Sequence, residues 1–131
     1  MAEKSEAYRR GVAARQAIFG EEGDERLRRW DKLDPTFADY MMESVWGGIL
    51  SRPGLERRDR ELITIAALTV LGKEQELDHH IKGGLTAGLS KQEVLEAIIQ
   101  MGIYAGMPAC LNGLRVAEQV FRERGLLDSD A

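Results

Sequence analysis

Apolar positions recur every three or four residues along nearly the whole chain, and Tyr8, Val12, Ala13 and Ile18 trace the first such stripe. That spacing places side chains on one helical face and predicts a short amphipathic helix closed by Gly20. The polar run GEEGDE that follows reads as a link. Asp34 before Pro35 is a helix start, after which Phe37, Tyr40, Met41, Val45, Trp46 and Ile49 repeat at helical spacing. They predict one core helix from Pro35 to Leu50.

SRPGL at 51–55 supplies a turn, because Pro53 fixes φ and Gly54 tolerates a positive one. A long helix from about Glu56 to Leu71 follows, closed by Gly72, and then another from Lys73 to Ala87, ended by Gly88. Ser90 with Glu93 three positions later is a capping box. It starts a helix that sends Val94, Ile98, Met101 and Ile103 towards a core. Met107-Pro108 separates that helix from a last one running to about Arg124, where Gly125 gives the stop.

No stretch alternates as a strand would, and the β-branched run ITIAALTVL sits inside a helical frame. The reading is therefore all-α: a bundle of about six helices in one domain, 1–131, the size of a usual single domain. There is no internal repeat and no low-complexity segment beyond the acidic link and a short polar tail.

Charge narrows the partners. Eighteen basic and 22 acidic residues give a net charge of -4, which argues against a nucleic-acid partner held through its phosphates. The longest apolar stretch, around Leu62 to Leu71, falls far short of the roughly 20 residues a membrane span requires. The single cysteine, Cys110, has no partner for an intramolecular disulfide, and the chain opens MAEKSEAYRR. A soluble, cytoplasmic protein with neither nucleic acid nor membrane as partner is expected.

The candidate chemistry concentrates between residues 76 and 110. Glu76 and His80 are four residues apart and so share a helical face, where a carboxylate orients an imidazole and fixes its tautomer. His79 points about 100° away on the same helix, so the two histidines do not chelate one metal, and no metal is expected. Glu61 has two readings, a participant in the chemistry or a surface ion pair with Arg57 or Arg58. Arg52, Arg57, Arg58 and Arg60 cluster at the turn before their helix, where planar guanidinium forks suit the carboxylates of an acidic substrate; a solvated charged face is the plainer alternative. Gly102, Gly106 and Pro108 break a helix near Tyr104, either to let backbone approach a ligand or to let helices pack closely. The sequence contains no GxxxxGK[ST], GxGxxG, GxSxG, HExxH or CxxC pattern, so phosphate-loop, dinucleotide, serine-hydrolase, zincin and dithiol readings all lack their residues. Acid/base chemistry without a cofactor remains.

Several segments together resemble the carboxymuconolactone decarboxylase family. Gly11 to Gly20 with Arg15 resembles its G-x-x-x-R-x-x-x-x-G element, WGGILSRPGL from Trp46 its WGxxxSRPGL segment, and Arg58 to Leu68 its R-x-R-x-L-I-T-I-A-x-L run. Gly72 to His80 resembles G-x-x-x-E-L-x-x-H, and GIYAGMPA at 102–109 resembles x-I-Y-x-G-x-P-A. The redox branch of the same superfamily, similar to alkylhydroperoxidase D, uses a glutamate, a CxxC pair and a histidine; those positions fall at Glu61, Lys73, Glu76 and His80, so both cysteines are absent. Where decarboxylases of the family usually carry a small hydroxyl residue after the arginine matching Arg60, this chain has Glu61.

The resemblance implies an all-helical protomer in a homo-oligomer, trimeric or hexameric, with active sites near subunit contacts. It also implies cofactor-free decarboxylation of a small acidic lactone, 4-carboxymuconolactone, to 3-oxoadipate enol-lactone in protocatechuate catabolism. Such a lactone carries its own electron sink, so the protein has to hold two carboxylates, stabilise a dienolate and deliver a proton to carbon. The expected catalytic residues are His80, Glu76 and Glu61; the expected substrate-binding residues are Arg15, Arg52, Arg58, Arg60, Trp46 and Tyr104. Three alternatives stand beside this: a relative acting on another small acidic lactone or ketoacid, a non-catalytic oligomer that binds a small acid, and a thiol-dependent reductase built on Cys110.

Overall fold

Ser5 opens the first helix: its hydroxyl accepts the Tyr8 N–H at 3.0 Å, satisfying one of the donors that a helix start leaves without an intrahelical partner. The computed structural model describes residues 3–128, and among them every regular element is helical. The chain forms two compact units, one up to Glu56 and one from Arg57.

The first unit contains α1 (Glu6–Phe19), α2 (Glu21–Leu33) and α3 (Pro35–Tyr40), which runs into a π-helical stretch (Met41–Trp46) and then a 3-10 turn (Ile49–Ser51). Gly20 joins α1 to α2 at φ 56°, a conformation that costs glycine little. The run expected to be a polar link is instead the first turn of α2. Glu21, Glu22 and Asp24 lie there, where negative charge complements the positive end of the helix dipole, and Leu27 and Trp30 pack on the first core. This brings the α-helices among the described residues to seven, against about six expected.

Asp34 ends α2 and caps α3, its carboxylate accepting the N–H groups of Thr36 and Phe37 at 3.0 and 3.3 Å. The single core helix expected from Pro35 to Leu50 is interrupted. From Met41 the hydrogen bonds widen to i+5, as in Gly47 N–H to the Met42 carbonyl at 2.7 Å, and the helical face rotates. Met42 and Trp46 are buried, whereas Phe37, Tyr40 and Ile49, expected in the core, are exposed. Gly47 allows the close approach behind this: a β-carbon there would lie 1.9 Å from the Ala7 carbonyl oxygen. The core of the unit is Ala14, Ile18, Met42 and Trp46. On α1 it is Ala14 and Arg15, not Ala13, that turn inward.

The second unit contains α4 (Arg57–Leu71), α5 (Glu74–Thr86), α6 (Lys91–Ala105) and α7 (Met107–Glu123). The capping box is present as read: Ser90 Oγ accepts the Glu93 N–H at 3.0 Å, and the Glu93 carboxylate accepts the Ser90 N–H at 2.9 Å. Gly106, at φ 93°, ends α6, and Pro108 sits in the first turn of α7, where its missing N–H costs no helical hydrogen bond. All four helices contribute to one core that includes Ile65, Leu77, Ile81, Val94, Ile98, Val120 and Phe121. Cutting Phe121 back to alanine removes about 3–5 kcal/mol by transfer and cavity terms. Ile103, expected inside, is 76% exposed. No helix among the described residues is long and apolar enough to cross a membrane.

Candidate active site

In the second unit, α4 and α5 bring together two groups that can exchange a proton. Glu61, in the second turn of α4, is buried, and its Oε2 lies 2.8 Å from Nδ1 of His80, halfway along α5. Side-chain exposures of 13% for His80 and 5% for Glu61 place the pair largely out of water, where a charge-assisted hydrogen bond is strong and a broken one expensive. With Glu61 as a carboxylate, which only accepts, Nδ1–H would be the donor and the working lone pair or exchangeable proton of the ring would belong to Nε2. The pair can orient an imidazole, hold its charge when protonated and deliver a proton.

The carboxylate on Nδ1 is therefore one from the preceding helix, nineteen positions away in sequence. Glu76, the expected companion of His80, is half-buried in the first turn of α5. His79 is also half-buried and lines a cavity of about 360 Å³ with Glu74, Gln75, Asp78 and Arg115. A second cavity, about 370 Å³, lies between α4 and α6 against Leu62, Ala66, Ala97 and Met101. Neither is lined by Glu61 or His80, and the apolar one offers no imidazole or guanidinium; the site is assigned on the chemistry of the buried pair. Among the described residues no group of three or more His, Cys, Asp or Glu side chains could hold a metal ion.

The arginines expected to bind substrate fare differently. Arg15 is buried in the first unit, its guanidinium carbon 5.1 Å from the Phe19 ring, 4.8 Å from Trp30 and 4.7 Å from Trp46. Three aromatic faces around one cation hold the fork rigidly. Trp46 owes its position to the π-helical stretch, and its ring meets Phe19 edge to face at 5.7 Å. Phe19 and Trp30 were not anticipated as Arg15 neighbours, although the i, i+4 spacing of Arg15 and Phe19 on one helix was a signal for the first. Arg52 is exposed after the 3-10 turn, and Arg60 is half-buried on α4. Arg58 forms ion pairs with Glu93 and, at 3.3 Å, with Asp59, so it ties α4 to the start of α6. Tyr104 is 73% exposed near the end of α6.

The model of the carboxymuconolactone decarboxylase family matches residues 35–119, well over half of the chain and including both Glu61 and His80. The chain belongs to that family. It is 36% identical to the 4-carboxymuconolactone decarboxylase of Acinetobacter baylyi over 120 residues, 91% of this chain and 90% of that protein. It is also 28% identical to the nitrosuccinic acid decarboxylase of Metarhizium robertsii over 86% of this chain and 80% of that protein. A third family relative, a 15.0 kDa protein of Paracoccus denitrificans, is 37% identical over 74% of each chain. Arg15 lies outside the matched family segment, while Trp46, Arg52, Arg58, Arg60, Glu76 and Tyr104 lie within it.

Proposed function

We propose that this protein is a carboxy-lyase that converts 4-carboxymuconolactone to 3-oxoadipate enol-lactone without a cofactor, with His80 and Glu61 as its proton-handling pair. The observation that carries the reading is the buried 2.8 Å contact between Glu61 Oε2 and His80 Nδ1, in a chain 36% identical to a decarboxylase of that name. In the reaction the bond from the ring carbon to the leaving carboxylate breaks, and its electron pair moves through the ring double bond into the lactone carbonyl. His80, doubly protonated and held by Glu61, gives its Nε2 proton to the resulting dienolate at carbon. CO₂ leaves, and the ring regains its proton from water. One proton is consumed for each CO₂ released.

Arg15 and Arg52 are assigned to the substrate's carboxylates, with Arg60 in reserve. Arg58 is engaged by Asp59 and by Glu93 at the start of α6. A leaving carboxylate departs more readily from an apolar setting, so an arginine serves better on the spectator arm. Trp46 helps to fix Arg15 in this scheme, Tyr104 is offered to substrate, and Glu76 lies one turn before His80. The protein is assigned to the cytoplasm and to protocatechuate catabolism, and its whole length to one functional domain.

A second substrate is favoured by a specific relative. Nitrosuccinic acid is a dicarboxylic acid whose nitro group can take up electrons as the lactone carbonyl does, and the corresponding relative is a decarboxylase by name. The shared requirement is a diacid that supplies its own electron sink. A homo-oligomer, trimeric or hexameric, is proposed as well. It is supported by Ile103, Tyr104, Met107 and Leu111, which leave a large apolar area exposed at the junction of α6 and α7.

The test is to add purified protein, with no cofactor, to each acid and follow the loss of lactone absorbance or the release of CO₂. Turnover of the lactone supports the reading, and turnover of nitrosuccinate alone moves the substrate to the second one. Turnover of neither overturns both. Light scattering on the eluting protein gives the oligomer mass; a monomer would contradict that part.

A further inference from the structure

Helix α5 meets α4 at His80 and again one turn later at Gly84. Gly84 is buried and lies inside the helix without a positive φ, so backbone conformation does not require a glycine there. Space does. A β-carbon on Gly84 would stand 2.8 Å from Leu89 Cδ1, 3.2 Å from Ile65 Cδ1 and 3.6 Å from Cβ of Glu61. Glu61 and Ile65 are four residues apart on the same face of α4, and His80 and Gly84 four apart on the same face of α5, so the two pairs oppose each other. The missing side chain lets α4 come close at the turn from which Glu61 reaches the imidazole.

We infer that Gly84 is a positioning residue that sets the Glu61 to His80 distance. The inference rests on the acid/base reading of that pair. A methyl group at Gly84 would push the free end of Leu89 aside, but it would also crowd Ile65, which is fully buried in the packed core and has little room to yield, so the α4 turn that carries both Ile65 and Glu61 shifts by a few tenths of an ångström. Misplacement of a catalytic group by a fraction of an ångström to one ångström costs tens of fold or more in rate. The fold should survive, since alanine favours the helix more than glycine does.

The test measures the His80 imidazole N–H resonance, assigned with His79→Gln and His80→Gln, together with kcat, KM and thermal unfolding. A ring N–H bonded to a carboxylate in a dry setting exchanges slowly and resonates far downfield. Gly84→Ala is expected to move this signal upfield or lose it to exchange, and to lower kcat about tenfold with KM changed less than twofold. Gly113→Ala is the control: its new carbon would meet Ile98 Cγ2 at 2.8 Å and Thr69 Cγ2 at 3.1 Å, away from the pair. It is expected to lower thermal stability and leave both signal and kcat as in the parent.

A folded Gly84→Ala protein with an unchanged signal and unchanged kcat would overturn the inference. If Gly84→Ala does not fold, it is made in a Leu89→Val background, which removes the atom the new carbon meets first. The same losses are then expected relative to Leu89→Val alone, and equal values overturn the inference. His80→Gln separates the two ideas: full activity in that variant would remove the acid/base reading, while the N–H signal would still decide whether Gly84 sets the distance.

Discussion

Glu61 holds His80 from a neighbouring helix, Oε2 to Nδ1 at 2.8 Å, with both side chains largely withdrawn from solvent. Glu61→Gln keeps the size and an accepting oxygen but removes the charge that stabilises a protonated ring. It should fold normally and turn over the lactone about 10²-fold more slowly, at the lower end of what general acid/base groups contribute. Glu61→Ala leaves the imidazole buried beside a gap and should also cost about 3 kcal/mol of stability. Steady-state kinetics and urea unfolding separate the two effects.

Arg15 is expected to report through tryptophan emission, because both tryptophans of the chain, Trp30 and Trp46, lie within 4.8 Å of its guanidinium carbon. Arg15→Lys keeps the charge but loses the planar face that stacks on them. It should change the emission spectrum and lower stability by about 1–2 kcal/mol, the scale of buried cation–π contacts. An unchanged spectrum would contradict the three-ring arrangement.

The π-helical stretch is tested at Gly47. A β-carbon there would stand 1.9 Å from the Ala7 carbonyl oxygen and 2.7 Å from that of Met42, and both are backbone atoms that cannot rotate away. Gly47→Ala should therefore destabilise by about 3 kcal/mol, as overpacking does when the neighbours are stiff. Chemical denaturation measures it directly.

Acid should weaken the start of α6. The Arg58 guanidinium, followed by the Ser90 backbone N–H, holds the Glu93 carboxyl below its ordinary value of 4.5. A carboxyl with a depressed folded value adds stability above its unfolded value and loses it as the pH falls through the folded one. Glu93→Gln should therefore be less stable than the parent at pH 7, with the difference shrinking below the ordinary carboxylate range. Ser90→Ala should cost about 1 kcal/mol at either pH by removal of the cap.

Local signals were legible in the sequence, and long-range ones were not. Ser90 with Glu93, Asp34 with Pro35, and Pro108 after Gly106 each announce a helix boundary through chemistry within four residues, and each stands where it was read. Helix α2 was missed because an acidic, glycine-containing run looks like a link unless its charges are seen as the first turn of a helix. The π-helical stretch was missed because widened hydrogen bonds from Met41 onward rotate the face without changing the apolar count, which is why Ile49 lies outside; Phe37 precedes the stretch, and the buried face there is that of Ala38. His80 was identifiable as an imidazole with a carboxylate nearby, but helical spacing within one element pointed to Glu76. The partnership with Glu61 depends on how α4 packs on α5, and no spacing along the chain encodes that.

The most direct test of the central claim compares kcat for 4-carboxymuconolactone between the parent and His80→Ala, both shown by thermal unfolding to be folded. The account predicts a loss of at least about 10²-fold, the least that a positioned proton donor contributes. Turnover by His80→Ala at the parental rate would contradict it.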